Sequence, residues 1–247
     1  IIDEEAAKTV RQIFALCVEG LGPTQIAKRL CKDYGMDGIY LDVVSTAYEQ
    51  CCDETHLHTL PVSKCAKATV RENIEAYKAL GYAGVFITNH FLDGNIDVDP
   101  SLPYEDRIHF YFSDYEEGKR IGQELGIDVF CGVELSYKGT DFLIYGLGKD
   151  WFLAHPSVME MKKSAQLPFL MEQGALVIQA HPFRNFIAVS PPDMIDGVEV
   201  CNLNARHDSR NDIAAIWAKK FSLIETSGGG VEDGEDLTVA IKRELKE

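Results

Sequence analysis

The chain has 247 residues, of which 46% are apolar, and a formal net charge of −15. This length and composition predict a soluble globular protein, either one large domain or an ordinary domain with an appendage. The negative charge disfavours loose attraction to nucleic acid or anionic lipid, although a local cationic metal site can still bind a phosphate.

The sequence contains no apolar run of the roughly 20 residues that a membrane helix needs, and its first residues lack the pattern of a secretory signal. Its seven cysteines are scattered without CxxC pairs, which argues against a disulfide framework and a cysteine zinc finger. We therefore expect a cytoplasmic protein with reduced thiols and no membrane partner.

Residues 1–33 predict two helices, "DEEAAKTVRQIFALCVEG" and "PTQIAKRLCKD", in which apolar residues recur at helical spacing. Residues 34–52 show no clear pattern and are interpreted as a connector. The stretch "IIDEEAAKTVRQIFALCVEGLGPTQIAKRL" resembles the recombinase domain of large serine recombinases. Because its acidic and basic residues nearly cancel, we interpret it as a short helical appendage, a fused or truncated remnant, with direct contact to DNA as the less favoured alternative.

From residue 53 onward, short apolar segments alternate with helical ones. The predicted strands are "THLHT", "GVFITN", "DVFCGVELS", "FLIYGL", "ALVIQAH", "GVEVCN" and "SLIETS". Helices are predicted between several of them, and Pro168 is expected to kink or divide one of these. Such alternation predicts a mostly parallel sheet in a small β/α barrel, where chemistry sits at the C-terminal ends of the strands.

Five potential metal ligands lie at one end of four predicted strands. His56 and His58 lie two residues apart on the first strand, so they point to the same side. His90, Glu134 and His181 follow or end three other strands. Imidazole and carboxylate groups are ligands for zinc, manganese or iron, and a glutamate can bridge two ions. Three other histidines are expected to be surface or structural residues: His109, His155 and His207.

The segments "ETHLHT", "GYAGVFITNHF", "GVELS", "VIQAHPFR" and "DGVEVCN", in this order, resemble the motifs of the PHP (polymerase and histidinol phosphatase) domain. The resemblance covers roughly residues 53–226 and places a PHP-like domain at 53–247. It implies a distorted seven-stranded β/α barrel with a di- or trinuclear metal centre that hydrolyses phosphoesters. In such a centre, metal ions turn water into hydroxide near neutral pH and hold the oxygens of a phosphate.

Carried over by position, the resemblance implies that His56 and His58 ligate one metal ion. Glu134 matches the bridging carboxylate, His181 a ligand of a second ion, and His90 a ligand of the third position. Glu134 and His181 are therefore expected to act in catalysis as well as in metal binding.

Other residues match supporting positions of the same motifs. Glu54 and Asn89 stand where the family usually has aspartate, and both are expected to support the ligands from outside. Arg184 is expected to direct its guanidinium at the substrate phosphate, with a surface salt bridge as the alternative. Glu199 and Asn202, on the sixth predicted strand, are weaker candidates for contact with the site.

The late motif of the family departs from the expected pattern. Where "GSDAH" is usual, the chain reads "SGGGVED", which puts Gly230 at the aspartate position and Glu232 at the histidine position. A glycine donates no ligand, and a glycine-rich loop followed by acids is more simply a solvated turn. We therefore expect one or two metal ions rather than three, with Glu232 as an alternative oxygen ligand.

Three functions remain open at this stage. The first is metal-dependent hydrolysis of a phosphoester, with a small phosphomonoester favoured over an oligonucleotide because no long basic groove is apparent. The second is a degenerate PHP domain that binds a metal ion or a phosphorylated ligand without efficient turnover. The third is a DNA-associated role for the recombinase-like segment, 1–33.

Overall fold

The computed structural model of the chain describes residues 53–202, 204 and 207–228. Its seven strands are β1 (Asp53–Leu57), β2 (Gly84–Ile87), β3 (Asp128–Tyr137), β4 (Thr140–Tyr145), β5 (Leu176–Gln179), β6 (Gly197–Asn202) and β7 (Ile224–Gly228). The α-helices of this part are α1 (Val70–Ala79), α2 (Tyr104–Leu125), α3 (Lys149–Ala154), α4 (Lys163–Glu172) and α5 (Asn211–Phe221). Short 3₁₀ segments lie at Pro156–Glu160 and Pro192–Met194.

The strands form one seven-stranded sheet in the order β1-β2-β3-β4-β5-β6-β7. The neighbours β2 and β3, β5 and β6, and β6 and β7 are parallel, whereas β4 is antiparallel to both β3 and β5. The Thr55 hydroxyl on β1 donates to the Ser227 carbonyl on β7, which brings the two edge strands together. The predicted seven-stranded β/α barrel is confirmed.

The antiparallel β4 arises from a tight turn that the sequence analysis did not recognise. Lys138 and Gly139 both have positive φ, +54° and +84°, and join β3 directly to β4 without a helix. Two successive residues of positive φ are the requirement of a type I′ hairpin turn, and glycine adopts this conformation at little cost. The alternation of strands and helices expected from the sequence therefore does not extend to this pair of strands.

The barrel interior has an apolar layer. Phe86, Leu143, Tyr145 and Ile178 pack together inside, and the Tyr145 hydroxyl donates to the carbonyl of Thr55 at 2.7 Å. Because β4 and β1 are not neighbours in the sheet, this hydrogen bond crosses the barrel. These apolar side chains fill the interior of the barrel. Polar side chains lie at the ends of the strands.

A larger core lies between the sheet and the helices. It contains fully buried aromatic residues, among them Phe91, Phe112, Phe142 and Phe152. Burying a side chain of this size stabilises the fold by about 1.5–3 kcal/mol. Helix α4 belongs to this layer and continues through Pro168, so of the two effects expected of this proline, a kink or a division, the division does not occur.

Several predictions fall outside the described residues. The helices and the recombinase resemblance of residues 1–33, the connector 34–52, and the roles of Gly230 and Glu232 belong to this group. Within the described ranges, no helix is both long and apolar enough to cross a membrane. The cytoplasmic location stays a prediction.

Candidate metal centre

All residues of the centre belong to one compact unit of the chain, which includes Glu54–Leu80 and continues from Gly84. Its first contribution comes from β1, where alternation puts Glu54, His56 and His58 on the same side. The Glu54 carboxylate accepts hydrogen bonds from the His56 backbone N–H at 2.8 Å and from the Tyr77 hydroxyl at 3.0 Å. Glu54 therefore fixes the backbone that carries the two histidines.

Glu134 on β3 lies among four imidazole rings. Its Oε1 is 3.1 Å from His56 Nε2 and 3.9 Å from His181 Nε2, and its Oε2 is 3.2 Å from His58 Nε2 and 2.6 Å from His90 Nδ1. The side chain is 1% exposed. His90 and Glu134 form an isolated parallel β-bridge, so the two residues lie at the same height along the barrel axis. The structure thus brings together all five predicted ligands.

The potential ligand atoms of these side chains point toward one another, as they would around a bound cation. His90 Nδ1 and Glu134 Oε2 are buried and, among the described residues, make no hydrogen bond of acceptable geometry despite their 2.6 Å approach. The Nε2 atoms of His56 and His58 lie 3.0 Å apart. Neutral imidazoles and a carboxylate are the donors that zinc, manganese and iron accept, so these residues fit a divalent metal ion.

Two sets of three residues present ligand atoms within 4.8 Å of one another around Glu134: His56, His58 and Glu134, and Glu134, Asp141 and His181. Asp141 lies at the beginning of β4, and its Oδ2 is 3.7 Å from His181 Nε2. Its Oδ1 accepts a hydrogen bond from the Ser136 hydroxyl at 2.7 Å, across the hairpin. The carboxylate of Glu134 is common to both sets.

Glu199 on β6 supports two of the histidines from behind. Its carboxylate lies 2.9 Å from His56 Nδ1 and accepts a hydrogen bond from the backbone N–H of His181 at 2.8 Å. Asn202 Nδ2 donates to both oxygens of this carboxylate, at 3.1 Å each. A contact between a carboxylate and the second ring nitrogen of a histidine sets the tautomer and the ring orientation.

Gly228 on β7 leaves the space that this arrangement needs. A Cβ atom at this position would lie 2.4 Å from Glu199 Oε1 and 2.4 Å from His56 Cβ. The absence of a side chain at this residue therefore lets β7 approach β1 beside the centre.

Asn89, one residue before His90, belongs to a buried network rather than to the cavity. Its Oδ1 accepts hydrogen bonds from the Thr59 backbone N–H and the Ser63 hydroxyl, both at 2.7 Å. Its Nδ2 donates to Asp114 Oδ2 at 3.3 Å. The network ties the loop after β1 to the end of β2. The supporting role expected of Asn89 stays a prediction.

The charges of the centre are strongly coupled. Burial lowers the pKa of His56, but the carboxylates of Glu199 and Glu134 outweigh burial and raise this pKa well above its usual value. Burial likewise opposes protonation of His90, yet Glu134 raises the pKa of that imidazole to about 10. Burial, together with the positive charges of Arg184 and His56, outweighs the nearby carboxylates and lowers the pKa of His181 to about 4, which leaves this ring neutral at pH 7. A cation that binds here must displace the protons of the first two rings.

A cavity of about 290 Å³ opens at the centre. Its walls include the four histidines predicted as metal ligands, together with Glu134, Asp141 and Arg184. The Arg184 side chain also donates from Nε to the Ser209 hydroxyl at 3.1 Å and from Nη2 to Asn202 Oδ1. The Arg184 guanidinium is half-buried and lines the cavity, a position that favours the expected contact with a substrate over the alternative of a surface salt bridge.

Comparisons with known proteins give structural similarity alone. No family model matches the chain, and no curated protein matches it. A two-domain protein from Bacteroides vulgatus ATCC 8482, described as containing a predicted PHP-like metal-dependent phosphoesterase, is similar with a TM-score of 0.48 and 14% identity. The match covers 71% of this chain and 50% of that one, so the chain spans half the length of this structure.

Two further solved structures are similar. One, from Bifidobacterium adolescentis ATCC 15703, is provisionally described as a metal-dependent phosphoesterase (TM-score 0.47, 15% identity, 78% of this chain and 95% of that chain). The other is an amidohydrolase from Chromobacterium violaceum with bound SO₄ and no metal (TM-score 0.46, 14% identity, with the same two coverages). None of the comparisons supports the recombinase resemblance of residues 1–33.

Three residues that line the cavity were not predicted as site residues from the sequence: Asp141, Cys65 and His207. Asp141 stands immediately before the predicted strand "FLIYGL", and only the antiparallel direction of β4 brings it to the end where the ligands gather. Cys65 follows His58 by seven residues, and its Sγ lies 3.0 Å from His58 Nδ1. His207 was expected to be a surface or structural residue; it is exposed and also lines the cavity. No spacing rule in the sequence marks either Cys65 or His207.

Proposed function

We propose that the protein is a PHP-type, metal-dependent hydrolase of phosphoesters. The observation that carries the proposal is the single buried carboxylate of Glu134 among four imidazole rings, with two of its short approaches at 2.6 and 3.1 Å. A buried cluster of this kind is costly unless its charges are compensated, and a divalent cation compensates them. Candidate metal sites with a shared carboxylate are characteristic of catalysis on phosphate oxygens.

Each residue has a distinct part in this proposal. His56, His58 and Glu134 would hold one ion, and Glu134, Asp141 and His181 a second. Zinc, manganese or iron bound there supplies Lewis acidity and lowers the pKa of water toward neutrality. Glu199 orients His56 and holds the backbone of His181, so that the rings keep their lone pairs directed into the cavity.

Arg184 is the proposed contact for the substrate phosphate. A guanidinium offers donors in a planar fork that matches phosphate oxygens, and Arg184 shares the cavity wall with the candidate metal ligands. Asn202 and Ser209 hold the group in place, which reduces the entropy lost when a phosphate binds. Catalytic roles are therefore proposed for Glu134, His181 and Arg184.

A small phosphomonoester is the proposed substrate class. The cavity of about 290 Å³ accepts a small molecule. The chain's net charge of −15 opposes the approach of an oligonucleotide, whose binding depends on neutralising many phosphates.

The test combines metal analysis with hydrolysis assays on the purified full chain. We expect one or two equivalents of metal and turnover of small phosphomonoesters in the presence of added manganese or zinc. The double variant His56→Ala/His58→Ala is expected to lose both, whereas His109→Ala, which changes a half-exposed histidine on α2, is expected to keep both.

The possible outcomes distinguish an active phosphoesterase from a degenerate domain that binds without turnover. Metal binding without turnover of any phosphomonoester, even with manganese, would favour a degenerate domain that binds a metal ion or a phosphorylated ligand. Unchanged metal content in the double histidine variant would overturn the assignment of the ligands.

A further inference from the structure

The two ring nitrogens of His58 face different surroundings. Nε2 points into the centre, 3.0 Å from His56 Nε2 and 3.2 Å from Glu134 Oε2. Nδ1 points away from it and lies 3.0 Å from Cys65 Sγ. Cys65 is half-buried in the loop between β1 and α1 and lines the same cavity. One imidazole thus connects the candidate metal centre to a sulfur atom.

A histidine that binds a metal through Nε2 keeps its proton on Nδ1, and this N–H needs an acceptor. The acceptor is usually a carboxylate, a backbone carbonyl or water. His56 follows that rule, because its Nδ1 faces the carboxylate of Glu199 at 2.9 Å. His58 has a cysteine in the equivalent place. The two histidines of "ETHLHT" therefore have different kinds of support, one from oxygen and one from sulfur.

We propose that Cys65 is the positioning residue of His58: its sulfur accepts the hydrogen bond from His58 Nδ1–H and so holds Nε2 ready to bind a metal ion. The proposal rests on the metal site of the proposed function but not on the phosphoesterase activity. It predicts a role for Cys65 in metal affinity, exerted through His58.

A second arrangement of the same atoms is less favourable. His58, Cys65 and His90 have ligand atoms within 4.8 Å of one another, so the sulfur can also be considered as a metal ligand itself. If an ion bound His58 Nδ1 there while another ion bound Nε2, the ring would have to be a deprotonated imidazolate that bridges both ions. The hydrogen bond needs only a neutral imidazole, and His58 Nδ1 already lies within hydrogen-bonding distance of Cys65 Sγ, at 3.0 Å.

The test compares the metal affinities of three proteins with that of the wild type. Cys65→Ala removes the acceptor, Cys65→Ser replaces it with an oxygen acceptor, and Cys131→Ala alters a cysteine of similar burial on β3. Affinity for zinc and manganese is measured by competition with a chromophoric chelator, and thermal unfolding of each metal-free protein reports on folding.

We expect a loss of affinity of about 10- to 100-fold in Cys65→Ala, the usual effect of removing the partner of a metal-bound histidine. Cys65→Ser is expected to recover most of the affinity, and Cys131→Ala to match the wild type. Recovery by serine separates positioning from a merely structural role, because a packing defect would not depend on an acceptor atom.

Three results would overturn the proposal. Wild-type affinity in Cys65→Ala, with a normal unfolding temperature, would show that His58 needs no partner at this position. A thiolate-to-metal charge-transfer band in the cobalt-substituted protein, lost in both Cys65 variants, would make the sulfur a ligand. If the wild type itself binds no metal, this proposal and the proposed function fail together, whereas normal activity with an unaffected Cys65→Ala removes this proposal alone.

Discussion

At the scale of single residues, the charge of Glu134 organises the centre. The imidazoles of His90, His56 and His58 outweigh the effect of burial and hold the pKa of this carboxyl well below its usual range. The carboxylate is therefore ionised wherever the centre is intact. A neutral amide of the same shape would keep the packing but remove the charge that the rings and any bound cation face.

We predict that Glu134→Gln lowers metal affinity by at least about tenfold and abolishes hydrolysis, because a carboxylate shared by two ions is lost. Elemental analysis after dialysis and a chelator competition assay would measure the loss. Glu105→Gln is the matched control, since Glu105 is largely exposed on α2. Full metal content in Glu134→Gln would contradict the bridging role.

The raised pKa values of His56 and His90 make metal binding dependent on pH. Both rings are protonated at pH 7 in the metal-free protein, because the pKa of His90 is raised to about 10 and that of His56 well above its usual value. A metal ion must displace these protons, so apparent affinity should rise with pH, by about tenfold per pH unit for each proton released. Titrations with zinc between pH 6 and pH 8 would measure the slope. A flat profile would show that these rings are not ligands.

The sequence analysis identified some of these residues and not others, for a physical reason. His56 and His58 could be predicted as a pair, because residues two apart on a strand share a face whatever its neighbours are. Asp141 could not, because its place depends on the direction of β4 relative to β3. Cys65 and His207 lie in loops, whose paths no periodicity predicts.

At the scale of elements, the hairpin of β3 and β4 determines where the acidic side chains meet. Glu134 pairs with Leu143 and Ser136 with Asp141 across the two strands. A slip of one residue would turn Asp141 away from the centre, because side chains alternate between the faces. The turn at Lys138 and Gly139 fixes this register.

We predict opposite effects of two substitutions in this turn. Gly139→Ala forces a side chain into a left-handed conformation at φ +84° and should lower the free energy of unfolding by about 1 kcal/mol or more. Lys138→Asn, at φ +54°, should raise it by a few tenths of a kcal/mol, since asparagine tolerates this region better. Urea unfolding of both variants provides the measurement. Equal and unchanged midpoints would argue against the type I′ turn.

At the scale of the whole molecule, the barrel and the centre stabilise each other. The candidate ligands come from β1, β3 and β4 and from the residues after β2 and β5, so an ion bound by them would join segments far apart in the chain. The architecture was predictable because each strand carries its own apolar signal, and the strand-end rule then brought the histidines together. The reversal of β4 was not, because apolar periodicity carries no information on strand direction.

Metal binding should therefore raise the stability of the entire fold. At an ion concentration about 100 times the Kd, binding to the native state alone adds about 2.7 kcal/mol. For a chain of this size, that corresponds to a rise in Tm of about 5–10 °C. Calorimetry with and without a chelator would test this shift. The same shift in His56→Ala/His58→Ala would mean that the ion binds elsewhere.

The hairpin also has a consequence for the order in which the centre assembles. Glu134 and Asp141 are brought together by a turn of two residues, whereas the histidines need contacts between distant parts of the chain. Local hairpins close at a small entropic cost and on a timescale of microseconds, well before long-range strand pairing. We expect the anionic half of the centre to form first, so that a cation captured by the nascent hairpin can act as a template around which the imidazole-bearing strands close.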